Sequence, residues 1–275
     1  MLDTPWRRLA ATLFDAPHSG RILVRIEVDA EPVEAHLAAT PGAQRAVGFL
    51  PFVAAAAARA VAEDVPALNG YLQRGRVRAR DGVTVSITAP VPGQGGLLAL
   101  PLRDAHVASA TALASTLRAQ IRGLRDRAKR GPLAEYVLAG LPWPLRHGVF
   151  RAARGLAHLG VPMARFDLAP ESYGALVVTS MEPVARGYDH DRGAFTEAFV
   201  PLFPAARNAS LVAVLPPREM PAAVGGEVVV RRRAVLCFTF DHRLVDGLEV
   251  GAFIQSVHRR LLDPSALDRS PDSDS

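Results

Sequence analysis

From Trp6 to Phe14 apolar residues recur at helical spacing and stop before Ala16-Pro17, which predicts a short opening helix. Ile22, Val24, Ile26 and Val28 then alternate with Arg25 and Glu27, the two-residue period of a half-buried strand. Phe49 to Ala62 is an Ala-rich, almost wholly apolar run, read as a buried helix that ends at Asp64-Val65-Pro66. Short strands follow at Val83 to Ala89 and Leu97 to Leu100, separated by the Pro- and Gly-rich turn Pro90 to Gly96. Ser109 can cap a helix whose apolar face is Leu113, Leu117, Ile121 and Leu124. After Gly131-Pro132, Leu145, Val149, Ala152, Leu156 and Leu159 step by four and three, with a second, basic stripe at His147, Arg151, Arg154 and His158. Strand signals return at Ala175 to Thr179, Leu211 to Leu215 and Val228 to Phe240, the last two joined through a turn containing Gly225-Gly226. An amphipathic helix from Leu248 to Leu262 halts at Asp263-Pro264, and the Asp-rich remainder, 265–275, reads as a disordered tail.

Composition narrows the class. With 275 residues, 49% hydrophobic and 21% charged, the chain has ample core and is neither disordered nor fibrous. Its longest almost uncharged stretch, Val47 to Ala58, falls far short of the roughly 20 residues a membrane span needs. The basic start MLDTPWRRLA has no apolar segment behind it and does not read as a secretory signal, so a cytoplasmic location is expected. One cysteine, Cys237, makes neither an internal disulfide nor a zinc site, and no metal is expected. The formal charge of +5 and pI near 10.1 would point to nucleic acid, yet Lys129 is the only lysine. The Arg and Ala excess, spread along the chain without interleaved aromatics, reads as composition bias of a bacterial type, and no nucleic-acid partner is expected. Strands and helices mix without a βαβ rhythm, and no Gly-rich phosphate loop follows a strand, which excludes Rossmann and P-loop readings.

The sharpest local feature is Cys237-Phe-Thr-Phe-Asp-His242-Arg-Leu-Val-Asp246-Gly247, a strand delivering a histidine at its end, then Asp-Gly, then a helix. A strand-end histidine in a cleft can serve as a general base. The alternative reading is that His242 closes the strand while Asp246 caps the helix by accepting backbone N–H bonds.

This segment, with the following helix and Leu261-Leu262-Asp263-Pro264, resembles the C-terminal signature of the 2-oxoacid dehydrogenase acyltransferases, the E2 components, and the HxxxDG core of the wider chloramphenicol acetyltransferase-like superfamily. The opening basic helix, Ile22 to Asp29, Val65-Pro66-Ala67-Leu68-Asn69, Leu100-Pro101-Leu102-Arg103-Asp104 and Val177 to Ser180 occur in the family's order, so the resemblance covers most of residues 5–264. It implies an α/β (α+β) fold, a mixed sheet flanked by helices, in subunits that form a trimer or a multiple of one. It also implies coenzyme A, as acyl-CoA, for a substrate, with an acyl acceptor entering the same intersubunit channel from the other end. His242 would be the general base. Asp246 would order the loop around it, through an arginine for which Arg7 or Arg8 is the candidate. Thr179 stands at the family's oxyanion-stabilising serine, with Ser180 beside it as a second hydroxyl.

There are departures. Glu182 replaces the glycine that follows the family's serine strand, and the loop Pro183 to Gly193 is richer in charge. The lipoyl and subunit-binding domains of a full E2 are not part of residues 1–264, which read as the catalytic domain alone, so no lipoyl group is expected on this chain and a lipoyl domain would have to be presented in trans. Residues 131–172 form an insertion whose helix, Pro144 to Gly160, is expected to pack by its Leu stripe with a solvated Arg face. A lid, a CoA-phosphate contact or a weak membrane-surface contact are its other readings. Arg231-Arg232-Arg233 is read as a solvated edge rather than a CoA-phosphate site, because alternation along a strand splits the three. The expected function is transfer of an acyl group between a CoA thioester and a thiol, hydroxyl or amine. A non-catalytic trimeric scaffold of the same fold is the rival, and a condensation-type amide synthase is weakened by Asp241 preceding His242.

Overall fold

The computed structural model describes residues 20–40, 48–90, 97–130, 140–161, 169, 171–185, 195–203 and 206–269. The expected opening helix, with Arg7 and Arg8, lies outside these residues, as do Gly131-Pro132 and most of the loop after Glu182. The strands are β1 (Arg21–Asp29), β2 (Gly70–Gln73), β3 (Arg76–Ala79), β4 (Val85–Pro90), β5 (Leu97–Leu102), β6 (Leu176–Ser180), β7 (Ser210–Val214), β8 (Arg218–Val224) and β9 (Glu227–Asp241). The α-helices are α1 (Glu31–Ala39), α2 (Leu50–Arg59), α3 (Ala110–Arg130), α4 (Trp143–His158), α5 (Glu182–Ala185), α6 (Gly247–Leu262) and α7 (Pro264–Asp268).

Seven strands form one mixed sheet in the order β1-β9-β7-β6-β4-β5, with β8 also on β9, while β2 and β3 form a separate hairpin. β7, β6 and β4 run parallel, and the other neighbours are antiparallel. This is the mixed sheet flanked by helices that the resemblance implies. Alternation sends Ile87, Leu176, Val178, Val212, Leu236, Phe238 and Phe240 into the main core beneath α2, α3 and α6. The opposite face carries Ala213, Val235 and Cys237 in a smaller cluster with Leu215 and Met220. α2 is buried on every side, which its Ala run permits by letting neighbouring helices approach closely. Gly174 has φ +72, and a side chain there would collide with the Thr84 carbonyl. That carbonyl accepts from the Ala175 N–H, which sets the start of β6 against β4.

Beyond α1, α5 and the β2–β3 hairpin, which the apolar pattern does not predict, three elements differ from the sequence expectation. β8 occupies residues for which the sequence predicts only the turn at Gly225-Gly226. Among the described residues it pairs with β9 alone, so it can carry Pro221, which lacks an N–H. The remainder after Pro264 is not disordered from its start: α7 runs to Asp268 with Leu267 buried. Arg59, the one charge in α2, reaches the carbonyls of Ala266 (2.6 Å) and Arg269 (2.7 Å), and Asp268 meets His36 at 3.2 Å. Residues 270–275 lie outside the description.

The third is α4, which forms as expected and docks by another face. Leu145 is 60% exposed, Val149 52% and Leu159 60%, whereas Arg146 is 5% and Phe150 7% exposed. At about 100° per residue the docked face is turned roughly 120° from the apolar stripe. Polar bonds fix it there. Arg207 Nη1 donates to Ala157 O at 3.3 Å, Arg74 Nε donates to Leu159 O at 2.7 Å, and the Arg74 N–H donates to His158 O at 3.1 Å. Tyr71 lies between two guanidinium groups at this corner, Arg80 at 5.1 Å and Arg207 at 5.3 Å from its ring centre. Burial pulls Arg80 down to about 10 and pushes His158 below the usual histidine range, the latter helped by Arg207, Arg154 and Arg243.

Candidate active site

β9 ends in a turn closed on its own backbone. The Asp241 carbonyl accepts from the N–H groups of Leu244 and Val245, at 3.0 and 3.4 Å. Val245 is buried and plugs the turn, while His242 is left exposed. The His242 N–H donates to Gly20 O at 2.9 Å, which ties the turn to the start of β1. His242 Nδ1 lies 3.0 Å from Val245 O. A carbonyl only accepts, so Nδ1 carries a proton, and Nε2 is the nitrogen that bears the lone pair whenever the ring is neutral, the tautomer a general base needs.

Asp241 is buried and held by its neighbour. Its carboxylate accepts from the Arg243 N–H (3.0 Å), from Arg243 Nε (2.9 Å) and from Arg243 Nη2 (2.6 Å). These bonds push Arg243 above its ordinary value. Asp246 is the N-cap of α6. Its Oδ1 accepts from Leu248 N–H at 3.0 Å, and Glu249 Oε2 accepts from Asp246 N–H at 2.9 Å, a reciprocal capping box. Asp246 thus orders the loop through backbone donors; Arg7 and Arg8 fall outside the described residues. A Cβ at Gly247 would meet nothing within 4 Å, so the chain's own packing does not require glycine there.

Thr179 is buried on β6, where Thr88 Oγ1 donates to its Oγ1 at 2.6 Å. Thr88 escaped the sequence reading: Ile87 pairs with Val178, which places Thr88 and Thr179 on one face, and that register is not read from residue types. The Ser180 Oγ accepts from the Glu182 N–H at 3.2 Å. Glu182, where the family has glycine, begins the helical turn α5.

The chain does not bring Thr179 to His242. Thr179 pairs with Ala213 and Ala213 with Cys237, five positions before His242. That is about 16 Å along the strand direction and two strand spacings, roughly 10 Å, across it. The other expected sites resolve plainly. Arg231, Arg232 and Arg233 meet Glu31 (3.0 Å), Glu34 (2.8 Å) and Glu27 (3.2 Å), an edge of ion pairs. Among the remaining histidines, His36 pairs with Asp268 and His147 stacks on Trp143 at 5.8 Å. Among the described residues no group of three His, Cys, Asp or Glu side chains could hold a metal, and no helix is long and apolar enough to cross a membrane.

Residues 195–268 match the family model for 2-oxoacid dehydrogenases acyltransferase (catalytic domain). The lipoamide acyltransferase component of a branched-chain alpha-keto acid dehydrogenase complex from Pseudomonas aeruginosa is 49% identical over 49 residues, 18% of this chain and 11% of that protein. The mitochondrial dihydrolipoyllysine-residue succinyltransferase component of the yeast 2-oxoglutarate dehydrogenase complex is 24% identical over 203 residues, 74% of this chain and 33% of its own length. The chain therefore spans a third or less of these relatives. In structure it is similar to the Azotobacter vinelandii dihydrolipoamide acetyltransferase (18% identity, 95% of this chain and 90% of that one, TM-score 0.63). A probable dihydrolipoamide acetyltransferase from Listeria monocytogenes has 17% identity with coverage of 97% and 92% and a TM-score of 0.60. A chloramphenicol acetyltransferase has 14% identity with 88% of each chain covered and a TM-score of 0.51. The fold is chloramphenicol acetyltransferase-like, and the sequence resemblance to the acyltransferases is borne out over residues 195–268.

Proposed function

We propose that the protein is an acyltransferase that uses acyl-CoA, with His242 as general base and a site completed by a second copy of the chain. The observation that carries this reading is the Nδ1 contact to Val245 O, which makes Nε2 the lone-pair nitrogen of the neutral ring, at an exposed position. Nε2 takes the proton of the acceptor thiol, hydroxyl or amine as that atom attacks the thioester carbonyl. The tetrahedral oxyanion then collapses, the carbon–sulfur bond breaks, and the imidazolium returns the proton to the CoA thiolate. Base catalysis of this type contributes about 10² to 10⁴ in rate.

The developing oxyanion needs a donor, worth about 10² to 10³ in turnover. Thr179 has a hydroxyl hydrogen to give, because its oxygen already accepts from Thr88. At its distance from His242 it cannot serve the same chain's base, so the reading requires the Thr179 of one subunit to meet the His242 of another. The open space beside Gly247 fits such a boundary. A homotrimer or a multiple of one, with a lipoyl domain in trans as one acceptor, follows from the same reading, as does a cytoplasmic setting where acyl-CoA is available. Light scattering is expected to give a trimer or a multiple; a stable, active monomer overturns the shared site.

One observation favours the rival scaffold. Glu182 starts a helical turn where the family keeps glycine, which alters the acceptor side of Thr179. Incubation with a panel of acyl-CoAs and acceptors, a lipoyl domain among them, with free CoA thiol as readout, separates the two. Transfer abolished by His242→Ala supports the enzyme; no release with any donor leaves the scaffold.

A further inference from the structure

α4 presents its apolar stripe outward, with none of the described residues burying it. The helix is held to the protein by Arg146, Phe150 and the bonds from Arg74 and Arg207, while Leu145, Val149, Leu156 and Leu159 face away. Gly148 and Gly155 meet nothing within 4 Å of where a Cβ would stand, so the outward surface is smooth as well as apolar. At the N-terminal end Trp143 is exposed between Pro142 and Pro144. At the C-terminal end the β2–β3 hairpin, bonded to α4 through Arg74, exposes Arg76 and Arg78.

Within its own segment the helix carries charge of one sign. Between Glu135 and Asp167 the sequence contains no acidic residue, and Arg151 is exposed on the outward side of the helix. A second copy of the same face would set Arg151 against Arg151 with no carboxylate from this segment between them. Its footprint, about 24 Å by 10 Å for the 16 residues, is also well short of the roughly 800 Å² per partner of a stable protein interface. An apolar stripe flanked by exposed arginines fits a surface that is apolar within and anionic at its edge.

We propose that α4 is a peripheral docking helix for an anionic lipid surface, lying in the headgroup plane with Leu145, Val149, Leu156 and Leu159 inserted and Arg151, Arg76 and Arg78 over the phosphates. This goes beyond the acyltransferase reading and does not depend on it. The stripe is too short to span a bilayer, so the attachment is reversible and weakens with salt.

The test is flotation of the full chain with phosphatidylcholine vesicles, and with the same vesicles containing one third phosphatidylglycerol, at physiological salt. Binding is expected only with the anionic lipid. Leu145→Asp/Leu156→Asp is expected to lower it by about tenfold or more, and Arg151→Glu by about fivefold. In a Trp143→Phe background, Leu156→Trp is expected to give an emission that moves to shorter wavelength on binding and is quenched by brominated lipid. This probe keeps the stripe apolar, so it decides the matter even if the Asp variant fails to fold. The proposal is overturned by absence of binding to the anionic vesicles, which would leave an acidic protein as partner. It is equally overturned by binding without quenching of the Leu156→Trp probe, or by self-association that Leu145→Asp/Leu156→Asp abolishes in the absence of lipid.

Discussion

The segment from β9 through its turn into α6 and the helix α4 are both amphipathic and close to chain reversals, yet they dock by opposite rules. From Ala234 to Leu262 most apolar positions are buried, Leu248 and Leu262 excepted, the turn satisfies its own carbonyls and the helix carries its own cap. In α4 the residues of the apolar stripe are exposed, and the buried contacts are made by an arginine, a phenylalanine and an alanine. Periodicity sets that a helix forms and where its apolar stripe runs. What the stripe meets is set by the rest of the system.

The largest expected effect tests the first region. His242→Ala should lower acyl transfer by about 10² to 10⁴ while leaving melting nearly unchanged, since the exposed imidazole adds little packing. Unfolding of that variant, or retention of full turnover, would make the turn as purely structural as its hydrogen bonds alone suggest. Thr179→Val should follow, with turnover reduced by about 10² and KM for acyl-CoA little changed, because its hydroxyl acts on charge present only in the transition state. Asp246→Ala should act on stability as well, losing the cap of α6 at about 1 kcal/mol and about 2–4 °C in melting. Calorimetry of the three side by side separates base, donor and cap.

The smallest effect sharpens the α4 side. Burial first, then Arg207 and Arg154, hold His158 below its ordinary range, so the folded protein binds its proton less readily than the unfolded chain. The stabilisation is full above the unfolded value near 6.5 and is lost as pH falls through the lower folded one. Going from about pH 7 to about pH 5 should therefore lower hydrogen-exchange protection, corrected for the intrinsic rate at each pH, in α4 more than in α6, and His158→Gln should remove the difference. Equal loss of protection in both helices, or no change in the variant, would detach His158 from α4 docking.

Most of the frame was legible. β1, β7, β9 and α6 sit within a residue or two of their apolar patterns, because each is decided by which of its own faces is buried. β8 carries Pro221, which an edge strand tolerates but a strand pattern does not announce, and α7 was hidden by an Asp-rich tail whose order comes from Arg59, some two hundred residues away. His242 and Asp246 were legible as a motif, and the cap of Asp246 could be read from Glu249 three residues on. The Nδ1 bond, the Thr88 partner of Thr179 and the separation of Thr179 from His242 depend on strand register, which residue types do not encode.

Among the described residues β1 has β9 as its one neighbour in the sheet, and the His242 N–H closes on Gly20 at the mouth of that pair. The two strands lie some two hundred residues apart, so the turn that carries His242 is tied down only when sequence-distant strands have paired, the slowest kind of contact to form. A folding intermediate in which β4, β6 and β7 have paired but β1 has not leaves His242 without its bond to Gly20.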